Sequence, residues 1–386
     1  MAIKPYFSLM STTKMRIGIL FGGRSGEHEV SLRSARSVLQ AIDREKYSVS
    51  LIGITKNGRW IGGENPLAAL EDGDEAIEQC PDTILLIDPV DNSLMQISRN
   101  RNDETIYINK TEDLDVIFPV LHGSFGEDGA VQGLFELADI PYVGSGLVGS
   151  SVGMDKGVFK SVMCSVGLPV LPSMTVNRSE YRSNTAIMID RIIRQLNLPV
   201  FIKPANLGSS VGITKASNIG ELKSGLDEAS KWDRRIVIEE GVDAREIEVS
   251  VLGNDDPQVS IAGEVVPQRD FYDYDAKYVS DDSELLIPAP ISPDQLVRIQ
   301  EMAIAAYKAV DCSGMARVDF LLDKSSGEVW INELNTIPGF TNISMYPKLW
   351  QASGIEYPEL IDKLIELALE RKEQRDATER SFEVLH

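Results

Sequence analysis

The segment MRIGILFGG, residues 15–23, constrains the fold most strongly. It is an unbroken apolar run that ends in two glycines, and EHEVSLRSARSVLQAI follows it with helical spacing. A buried strand, a tight loop and a helix in succession are typical of a parallel α/β unit. YSVSLIGI (47–54) and LDVIFPVL (114–121) have the same apolar character, and AVQGLFELA (130–138) predicts a further helix. The sequence therefore predicts an α/β fold that begins with a parallel sheet.

The remainder of the chain predicts two further units. At 386 residues the chain exceeds the size at which one hydrophobic core stops growing. The later strands and helices are LPVFIKPA, IVIEE, REIEVSVLG, QLVRIQEMAIAAYKAV, ARVDFLL and EVWINELN. We predict three domains: residues 1–145, residues 146–240 and residues 241–386.

The charge of the chain bears on its partners. The net charge of −21 at pH 7 argues against nucleic acid and anionic membranes, because both bind basic surfaces. The three cysteines have neither zinc-site spacing nor the even number of a disulfide framework. The first 14 residues lack the apolar segment of a signal peptide, and no run of 18 apolar residues occurs. We expect a cytoplasmic protein with no nucleic-acid or membrane partner.

Two late strands carry the most specific set of polar side chains. Arg317 and Asp319 share one face of the first strand, and Glu333 and Asn335 share one face of the second. The intervening DKSSG has the length of a hairpin loop. We therefore predict a hairpin with these four polar groups on one face.

The loop length also predicts the register of this hairpin. If Leu322 pairs with Glu328, Arg317 lies opposite Glu333. Asn332 then lies on the apolar face, which marks an imperfect alternation. The side chains predicted to fill that apolar face are Val318, Phe320, Trp330 and Leu334.

Two interpretations of the polar face remain open. Asp319, Glu333 and Asn335 offer the hard oxygen ligands that Mg²⁺ prefers. Alternatively, Arg317 and Glu333 form an ordinary ion pair on a solvated sheet face. The loop NTIPGFTNIS follows at once and could line a site with its backbone N–H groups.

Two glycine-containing loops also have alternative interpretations. KPANLGSSVGI (203–213) leaves a buried strand with a lysine, and its glycines and serines could donate hydrogen bonds to phosphate or form only a flexible turn. FGGRSGEHEVS is not a dinucleotide fingerprint, because Phe21 occupies the position of the first required glycine. Glu27 in this loop is either a helix cap or a ligand-binding carboxylate. His122, in LHGSFGEDG, is either structural or part of a site at a strand end.

Seven segments in order resemble the D-alanine–D-alanine ligases of the ATP-grasp superfamily. They are GGRSGEHEVSL, LHGSFGEDGAVQGL, VGMDK, FIKPANLGSSVGI, DFYDYDAKY, GMARVDF and INELNTIPGFTNISMYP, and the resemblance covers about residues 15–365. The resemblance implies a three-domain ATP-grasp fold and ATP-dependent ligation of two D-alanines for peptidoglycan synthesis. It also implies ATP and two Mg²⁺ (or Mn²⁺) ions as cofactors, and a homodimer.

The resemblance implies a base and ribose site between the second and third domains. Glu239 would accept from the adenine amino group, and the backbone near Glu240 and Val242 would hold the base. Glu246 would bind the ribose hydroxyls, and Phe271 would also contact the nucleotide.

For the phosphates and metals, the resemblance implies two further sets of residues. Those that would contact the phosphates of ATP are Lys156, Lys203, Ser210 and Lys277. Asp319, Glu333 and Asn335 would hold the two metal ions, with Glu333 bridging both.

The resemblance implies a substrate site as well. Glu27 would bind the ammonium group of the first D-alanine, with His122 beside it, and Ser344 would bind the carboxylate of the second. Arg317 and the backbone N–H of Gly339 would stabilise the oxyanion of the tetrahedral intermediate.

The segment DFYDYDAKYVSDD mixes aromatic rings and aspartates without strand or helix periodicity. By resemblance, residues 268–284 form a mobile loop that closes over the active site and excludes water. Tyr278 in this loop would form a hydrogen-bonded set with Glu27 and Ser209, and its presence favours D-alanyl-D-alanine over D-alanyl-D-lactate. Two alternatives stay open: the product is D-alanyl-D-serine, or the chain is a non-catalytic nucleotide-binding regulator.

Overall fold

The computed structural model describes residues 14–99, 105–267 and 283–379. Within these ranges the strands form three sheets that follow one another along the chain. Both parallel and antiparallel pairing occur, so the fold is mixed α/β, as the sequence predicts. No helix within these ranges is long and apolar enough to span a bilayer.

A parallel centre extended by antiparallel strands makes up the first sheet. Its strands are β1 (Met15–Gly22), β2 (Tyr47–Ile54), β3 (Trp60–Ile61), β4 (Asp82–Leu85), β5 (Ser93–Arg99), β6 (Ile106–Asp113) and β7 (Val116–Pro119). Their order is β6-β5-β4-β3-β2-β1-β7, and β1 is parallel to both β2 and β7. These three strands are the apolar runs that the sequence singles out. The antiparallel strands β3 to β6 are shorter or more exposed, so their sequences give a weaker signal.

Four helices accompany this sheet within the described residues: α1 (His28–Ala41), α2 (Pro66–Asp72), α3 (Asp74–Gln79) and α4 (Ala130–Leu137). Leu32, Ala35 and Val38 of α1 recur at helical spacing and are buried with Ile17 and Ile19 of β1. The two helices that the sequence predicts in this region, α1 and α4, are confirmed.

The second sheet is small and antiparallel. Its strands are β8 (Ser173–Asn177), β9 (Val200–Pro204), β10 (Thr214–Ala216) and β11 (Arg235–Glu240), in the order β10-β9-β11-β8. The helices of this stretch are α5 (Leu147–Met154), α6 (Lys156–Ser165), α7 (Arg178–Ser183), α8 (Thr185–Gln195) and α9 (Ile219–Trp232). Asp155 caps α6, because its Oδ1 accepts from the N–H groups of Gly157 and Val158. The cap fixes Lys156 at the first position of the helix.

The third sheet carries the predicted hairpin. Its strands are β12 (Ala244–Leu252), β13 (Gln258–Val259), β14 (Gly263–Pro267), β15 (Ser283–Leu286), β16 (Met315–Asp323) and β17 (Val329–Asn335). The path is β15-β14-β12-β16-β17, with β13 beside β12. The helices that follow or interrupt these strands are α10 (Pro293–Ala309), α11 (Met345–Ala352) and α12 (Tyr357–Asp376).

The predicted register of the β16–β17 hairpin is wrong. Arg317 lies opposite Asn335, and Asp319 lies opposite Glu333. Leu322 pairs with Val329, and a bulge between Asp319 and Phe320 shifts the register by one further residue. The extra residue is Asn332, which breaks the alternation of the strand. The bulge brings the two carboxylates directly opposite each other.

The bulge also changes which side chains fill the apolar face. Trp330 pairs with Leu321, and both are only half-buried, so the prediction that Trp330 fills the core is wrong. Ile331 takes that place and is completely buried beside Phe320. A strand bulge reverses the facing of the residues on one side of it, which a strict alternation cannot anticipate.

Two helices bury their apolar side chains outside the sheet of their own stretch. Phe159 and Met163 of α6 belong to the core of the third sheet. Leu360 and Leu364 of α12 are buried in the core of the first sheet. The three sheets are therefore packed together by helices that cross between them, and the predicted domain boundaries stay a prediction.

Candidate active site

The Glu27 carboxylate is buried between two loops from different parts of the chain. Glu27 occupies the N-cap position of α1, but its side chain makes no capping hydrogen bond. Its Oε1 instead accepts from Ser209 Oγ at 2.5 Å. A Cβ on Gly123 or on Gly208 would lie 2.3 Å or 2.6 Å from Glu27 Oε2, so a side chain at either position would displace the carboxylate. The structure brings Glu27 and Ser209 together, and the role of Glu27 as a substrate ligand stays a prediction.

The Gly/Ser loop after β9 has an unusual backbone. Ser209 and Ser210 have φ values of 49° and 58°, in the left-handed region that disfavours side chains. Such conformations persist only where the surrounding structure holds them, and they cluster at functional sites. Lys156 Nζ donates to the carbonyl of Leu207 at 2.9 Å and fixes the start of this loop.

A buried cluster of two lysines surrounds Glu239. Lys203 donates to Glu239 Oε2 at 2.5 Å, and Lys160 donates to Oε1. Burial disfavours all three charges, but for Glu239 the two ammonium groups outweigh burial and lower its pKa to about 2. At Lys160 burial is the larger effect, and it lowers the pKa of that ammonium group. We call Lys160, Lys203 and Glu239 the cationic cluster.

Across from the cationic cluster, three neighbouring strands present a row of carboxylates. Glu248 on β12 pairs with Asp319 on β16, and Asp319 pairs with Glu333 on β17. Arg317 bridges this row: its Nε and Nη2 donate to Asp319 at 2.7 Å each, and Nε lies 3.0 Å from Glu248 Oε2. We call Glu248, Asp319, Glu333 and Arg317 the acidic row.

Lys156 connects the two sides of the site. Its Nζ lies 3.4 Å from Glu333 Oε2 while it also bonds to the Gly/Ser loop. An ammonium group between a loop rich in N–H donors and a row of carboxylates suits a ligand that is both anionic and metal-bound. The lysine and the carboxylate come from chain segments far apart in sequence, so only the tertiary fold creates this pairing.

The residues predicted to bind metal are adjacent. Asn335 Nδ2 donates to Asp319 Oδ2 at 3.0 Å, and Glu333 faces Asp319 across the hairpin. Within residues 14–99, 105–267 and 283–379 no group of three or more His, Cys, Asp and Glu is arranged to hold a metal. The predicted set, however, has only two carboxylates and takes its third oxygen from an amide. The donor types fit Mg²⁺, and binding requires Asp319 to exchange its bonds from Arg317 and Asn335 for metal contacts.

The segment predicted to bind adenine and ribose lies between the second and third sheets. Glu240 ends β11 and accepts from the backbone and side chain of Asn197 at 2.7 and 3.0 Å. Val242 is half-buried in the connection to β12, and Glu246 on β12 is half-buried on the same face as Glu248. Glu239 is the neighbour of Glu240 and lies in the cationic cluster. The structure thus gathers these four predicted residues along one edge of the site.

His122 and Glu127 contact the loop that follows β17. His122 Nδ1 lies 2.9 Å from the carbonyl of Ile337, and Nε2 lies 2.9 Å from Ser34 Oγ. Glu127 Oε1 accepts from Ile337 N–H at 3.0 Å, and its Oε2 accepts from Gly123 N–H at 2.7 Å. Burial and the nearby Glu27 carboxylate raise the pKa of Glu127 to about 8, although these two N–H donors oppose the shift. The role of His122 as a substrate ligand stays a prediction, since its ring nitrogens have protein partners.

Gly339 and Ser344 are close together in this loop. A Cβ on Gly339 would lie 3.1 Å from Ser344 Oγ. Ser344 is the N-cap residue of α11, but its hydroxyl bonds to Thr341 rather than to the helix: it accepts from Thr341 N at 3.1 Å and lies 2.7 Å from Thr341 Oγ1. The predicted oxyanion donor and the predicted carboxylate ligand therefore share one small loop.

Three predicted site residues, Phe271, Lys277 and Tyr278, lie outside the described residues. Sequence reasoning missed three others that the structure places at the site: Glu127, Lys160 and Glu248. Lys160 follows Lys156 by four residues on one helix, and Glu248 follows Glu246 by two on one strand. Both spacings put the missed residue on the face of a predicted one, so periodicity alone could have found them.

Known proteins resemble the chain along nearly its whole length. A family model described as D-ala D-ala ligase N-terminus matches residues 16–145, and one described as D-ala D-ala ligase C-terminus matches residues 162–366. A D-alanine–D-alanine ligase of Heliobacterium modesticaldum is 50% identical over 369 residues, which are 95% of this chain and 98% of that protein. One of Geobacillus thermodenitrificans is 48% identical over 374 residues, 96% of this chain and 100% of that protein.

Two solved structures also resemble this chain in sequence and fold. The D-alanine–D-alanine ligase from Coxiella burnetii is 36% identical with a TM-score of 0.78, and the match covers 94% of this chain and 96% of that one. The VanG D-Ala:D-Ser ligase from Enterococcus faecalis is also 36% identical with a TM-score of 0.80, and the match covers 92% of this chain and 100% of that one. These similarities extend over all three sheets.

Proposed function

This chain belongs to the D-alanine–D-alanine ligase family, and we propose that it joins two D-alanines into D-alanyl-D-alanine at the expense of ATP. The family implies ATP as a substrate, and the product serves peptidoglycan synthesis. Several relatives of 48 to 50% identity over nearly the full chain are named D-alanine–D-alanine ligases, which favours this dipeptide.

The observation that carries the proposal is the opposition of two surfaces of unlike charge. Lysines of α6 and β9 face carboxylates of β16 and β17, and Lys156 contacts Glu333 across the gap. ATP with its metal ions is a ligand with negative phosphates on one side and cations on the other, so it complements both surfaces. We infer that Lys156, Lys203 and Ser210 contact the phosphates, and that Glu239, Glu240, Val242 and Glu246 line the nucleoside end.

The first chemical step activates a carboxylate that is otherwise a poor acyl donor. An oxygen of the first D-alanine carboxylate attacks the γ-phosphorus, the bond to the β–γ bridging oxygen breaks, and ADP leaves. The product is an acyl phosphate. Glu27 is placed to bind the ammonium group of this D-alanine, because its carboxylate is buried between the Gly/Ser loop and the loop at Gly123 and is held there by a hydrogen bond from Ser209.

The second step forms the peptide bond. The amine of the second D-alanine attacks the acyl carbon, a tetrahedral intermediate forms, and inorganic phosphate leaves as the amine loses a proton. We assign stabilisation of the oxyanion to Arg317 and the N–H of Gly339, and binding of the second carboxylate to Ser344. Loss of one oxyanion donor typically costs ~3 to 4 kcal/mol in the barrier. Tyr278, Phe271 and Lys277 complete the proposed site.

Asp319, Glu333 and Asn335 would hold two Mg²⁺ or Mn²⁺ ions. Such ions neutralise charge on the transferring phosphoryl group. The chain's own contribution is to keep two carboxylates opposite each other on adjacent strands and to hold Arg317 beside them.

A second product, D-alanyl-D-serine, is favoured by one observation: a D-Ala:D-Ser ligase matches with a TM-score as high as that of a D-alanine–D-alanine ligase. Product separation after incubation with ATP, Mg²⁺ and equal amounts of D-alanine and D-serine tests both candidates. We expect D-alanyl-D-alanine to predominate. If D-alanyl-D-serine predominates, the second candidate is favoured. Turnover with L-alanine would refute both candidates.

We further propose that the enzyme acts in the cytoplasm, where ATP is supplied, and as a homodimer. Light scattering coupled to gel filtration measures the mass in solution. A mass equal to one 42.6-kDa chain at micromolar concentration would contradict the dimer.

A further inference from the structure

Three side chains from the first 127 residues grip the loop that carries Gly339. Glu127 Oε1 accepts from Ile337 N–H at 3.0 Å, and His122 Nδ1 donates to the carbonyl of the same residue at 2.9 Å. Ser34 Oγ accepts from Phe340 N–H at 3.4 Å. Ile337 lies two residues before Gly339 and Phe340 lies one residue after it, so the bonded residues flank Gly339.

The grip is preorganised within the first unit. The second oxygen of Glu127 accepts from Gly123 N–H at 2.7 Å, so the carboxylate is held from both ends. His122 Nε2 lies 2.9 Å from Ser34 Oγ. Because the carbonyl of Ile337 can only accept, Nδ1 carries the proton, and Nε2 of the neutral ring accepts from the Ser34 hydroxyl. Burial keeps this ring neutral, since it lowers the pKa of His122.

The loop is also held firmly on its far side. The Phe340 ring packs against Phe118, Tyr346 and Tyr357, with centroid distances of 5.9, 5.9 and 5.4 Å. Tyr357 Oη donates to the carbonyl of Phe340 at 2.6 Å. With Phe340 anchored and Ile337 bonded through both its N–H and its C=O, the intervening peptides have little freedom to turn.

We propose that Glu127, with His122 and Ser34, is a positioning residue that sets the direction of the Gly339 N–H for the second chemical step. The inference rests on the proposed function, in which this N–H stabilises the tetrahedral oxyanion. Oxyanion donors must already point at the site of developing charge, because reorienting them during the reaction forfeits their effect. Glu127 itself touches no substrate in this account.

Alternatively, the hydrogen bonds from Glu127, His122 and Ser34 only hold two units of the chain together. The structure offers a matched comparison, because Arg371 joins the same two units through Tyr142, Gly144 and Ser313 and not through Ile337 or Phe340. Its guanidinium donates to the carbonyl of Gly144, to Tyr142 O at 2.7 Å and to Ser313 Oγ at 2.9 Å. If fastening alone matters, loss of Arg371 contacts and loss of Glu127 contacts will have the same consequence.

The test separates the two chemical steps in Glu127→Gln and Arg371→Lys. Positional isotope exchange in ATP labelled with ¹⁸O at the β–γ bridge reports acyl-phosphate formation, and dipeptide formed per ATP consumed reports the second step. In Glu127→Gln we expect dipeptide formation to fall by about tenfold to a hundredfold, because the amide has one accepting oxygen and cannot serve both Ile337 N–H and Gly123 N–H. Isotope exchange should change by less than about threefold, so extra ATP is consumed per dipeptide.

If Glu127→Gln changes both chemical steps equally, so that ATP consumed per dipeptide stays at the wild-type value, the proposal is overturned. Glu127 would then only hold the two units together. Arg371→Lys is expected to keep the wild-type ratio. Glu127→Asp serves if Glu127→Gln does not fold: it keeps the carboxyl group, shortens the reach, and should raise ATP consumption per dipeptide less than Gln does. Failure of the proposed function is seen separately, as absence of dipeptide with the wild-type chain.

Discussion

The cationic cluster and the acidic row have the same arrangement with opposite charges: in each, one charged group contacts two groups of the opposite charge. In the cationic cluster one carboxylate, Glu239, is shared by two lysines. In the acidic row one guanidinium, Arg317, is shared by Glu248 and Asp319. Glu239 holds the two lysines in place, and Arg317 holds the two carboxylates. The cationic cluster keeps a net positive charge, which suits the phosphates of ATP. The acidic row keeps a net negative charge, which suits metal ions.

The two surfaces differ in the burial of their innermost pair of charges. Lys160 and Glu239 have side-chain exposures of 4% and 2%, whereas Lys203 reaches 13%, and Arg317 and Asp319 of the acidic row reach 17% and 12%. Buried charges are costly to rearrange, while partly exposed ones exchange partners more easily. We infer that Lys160 and Glu239 form a fixed frame that holds Lys203, and that the acidic row exchanges internal bonds for metal and substrate.

The largest expected effect comes from Asp319→Asn. If Asp319 ligates a metal, loss of its charge removes stabilisation of the transferring phosphoryl group, and kcat should fall by ~10³-fold, about 4 kcal/mol. Initial rates of phosphate release at saturating ATP and D-alanine measure it. Asp323→Asn is the matched control, because Asp323 ends the same strand and its side chain accepts from Ser325 and Ser326 in the turn. A fall of less than tenfold in Asp319→Asn would remove Asp319 from the metal site.

Arg317→Lys should have the next largest effect. Lysine keeps the charge but cannot donate two parallel bonds to Asp319 while reaching Glu248, so the oxyanion donor is misplaced. We expect kcat to fall by ~10²-fold with little change in the KM for ATP. Arg245→Lys is the control, because Arg245 makes a similar paired contact with Glu264 in the same sheet. A comparable loss in that variant would point to sheet stability instead.

These two residues also show how far the sequence leads. Alternation along two short strands places Arg317 and Asp319 on one face with Glu333, and the structure agrees. Their partners across the hairpin could not be predicted, because the bulge at Asn332 depends on how the strand meets its neighbours. The grip of Glu127 on Ile337 joins residues 210 apart in sequence, and no local pattern encodes such a contact.

Lys203→Met tests the cationic side. Charge-assisted bonds to phosphate contribute ~1.5 to 3 kcal/mol, so the KM for ATP should rise by roughly tenfold to a hundredfold while the KM for D-alanine stays nearly constant. Lys223→Met, on the exposed face of α9, should leave both constants unchanged. If both KM values rise together in Lys203→Met, the lysine supports the fold of the site and not the nucleotide alone.

The smallest expected effect is on acid stability. The lowered pKa of Glu239 means that its charge stabilises the fold above about pH 4.5, and that this stability is lost as the pH falls toward about 2. Lys160→Met removes one of the two ammonium groups, so the pKa of Glu239 rises and the acid unfolding midpoint moves to higher pH. Circular dichroism during acid titration measures the midpoint. Lys231→Met, which breaks an exposed pair with Glu228, should not move it.

The division of labour between the two surfaces is tested most directly by ATP binding with and without Mg²⁺, measured calorimetrically. The wild-type chain should bind ATP more tightly with Mg²⁺; Asp319→Asn should lose that difference, and Lys203→Met should keep it while binding weakens in both conditions. If Asp319→Asn keeps the full Mg²⁺ enhancement, or if Mg²⁺ has no effect on the wild type, the acidic row does not hold the metal and the account fails.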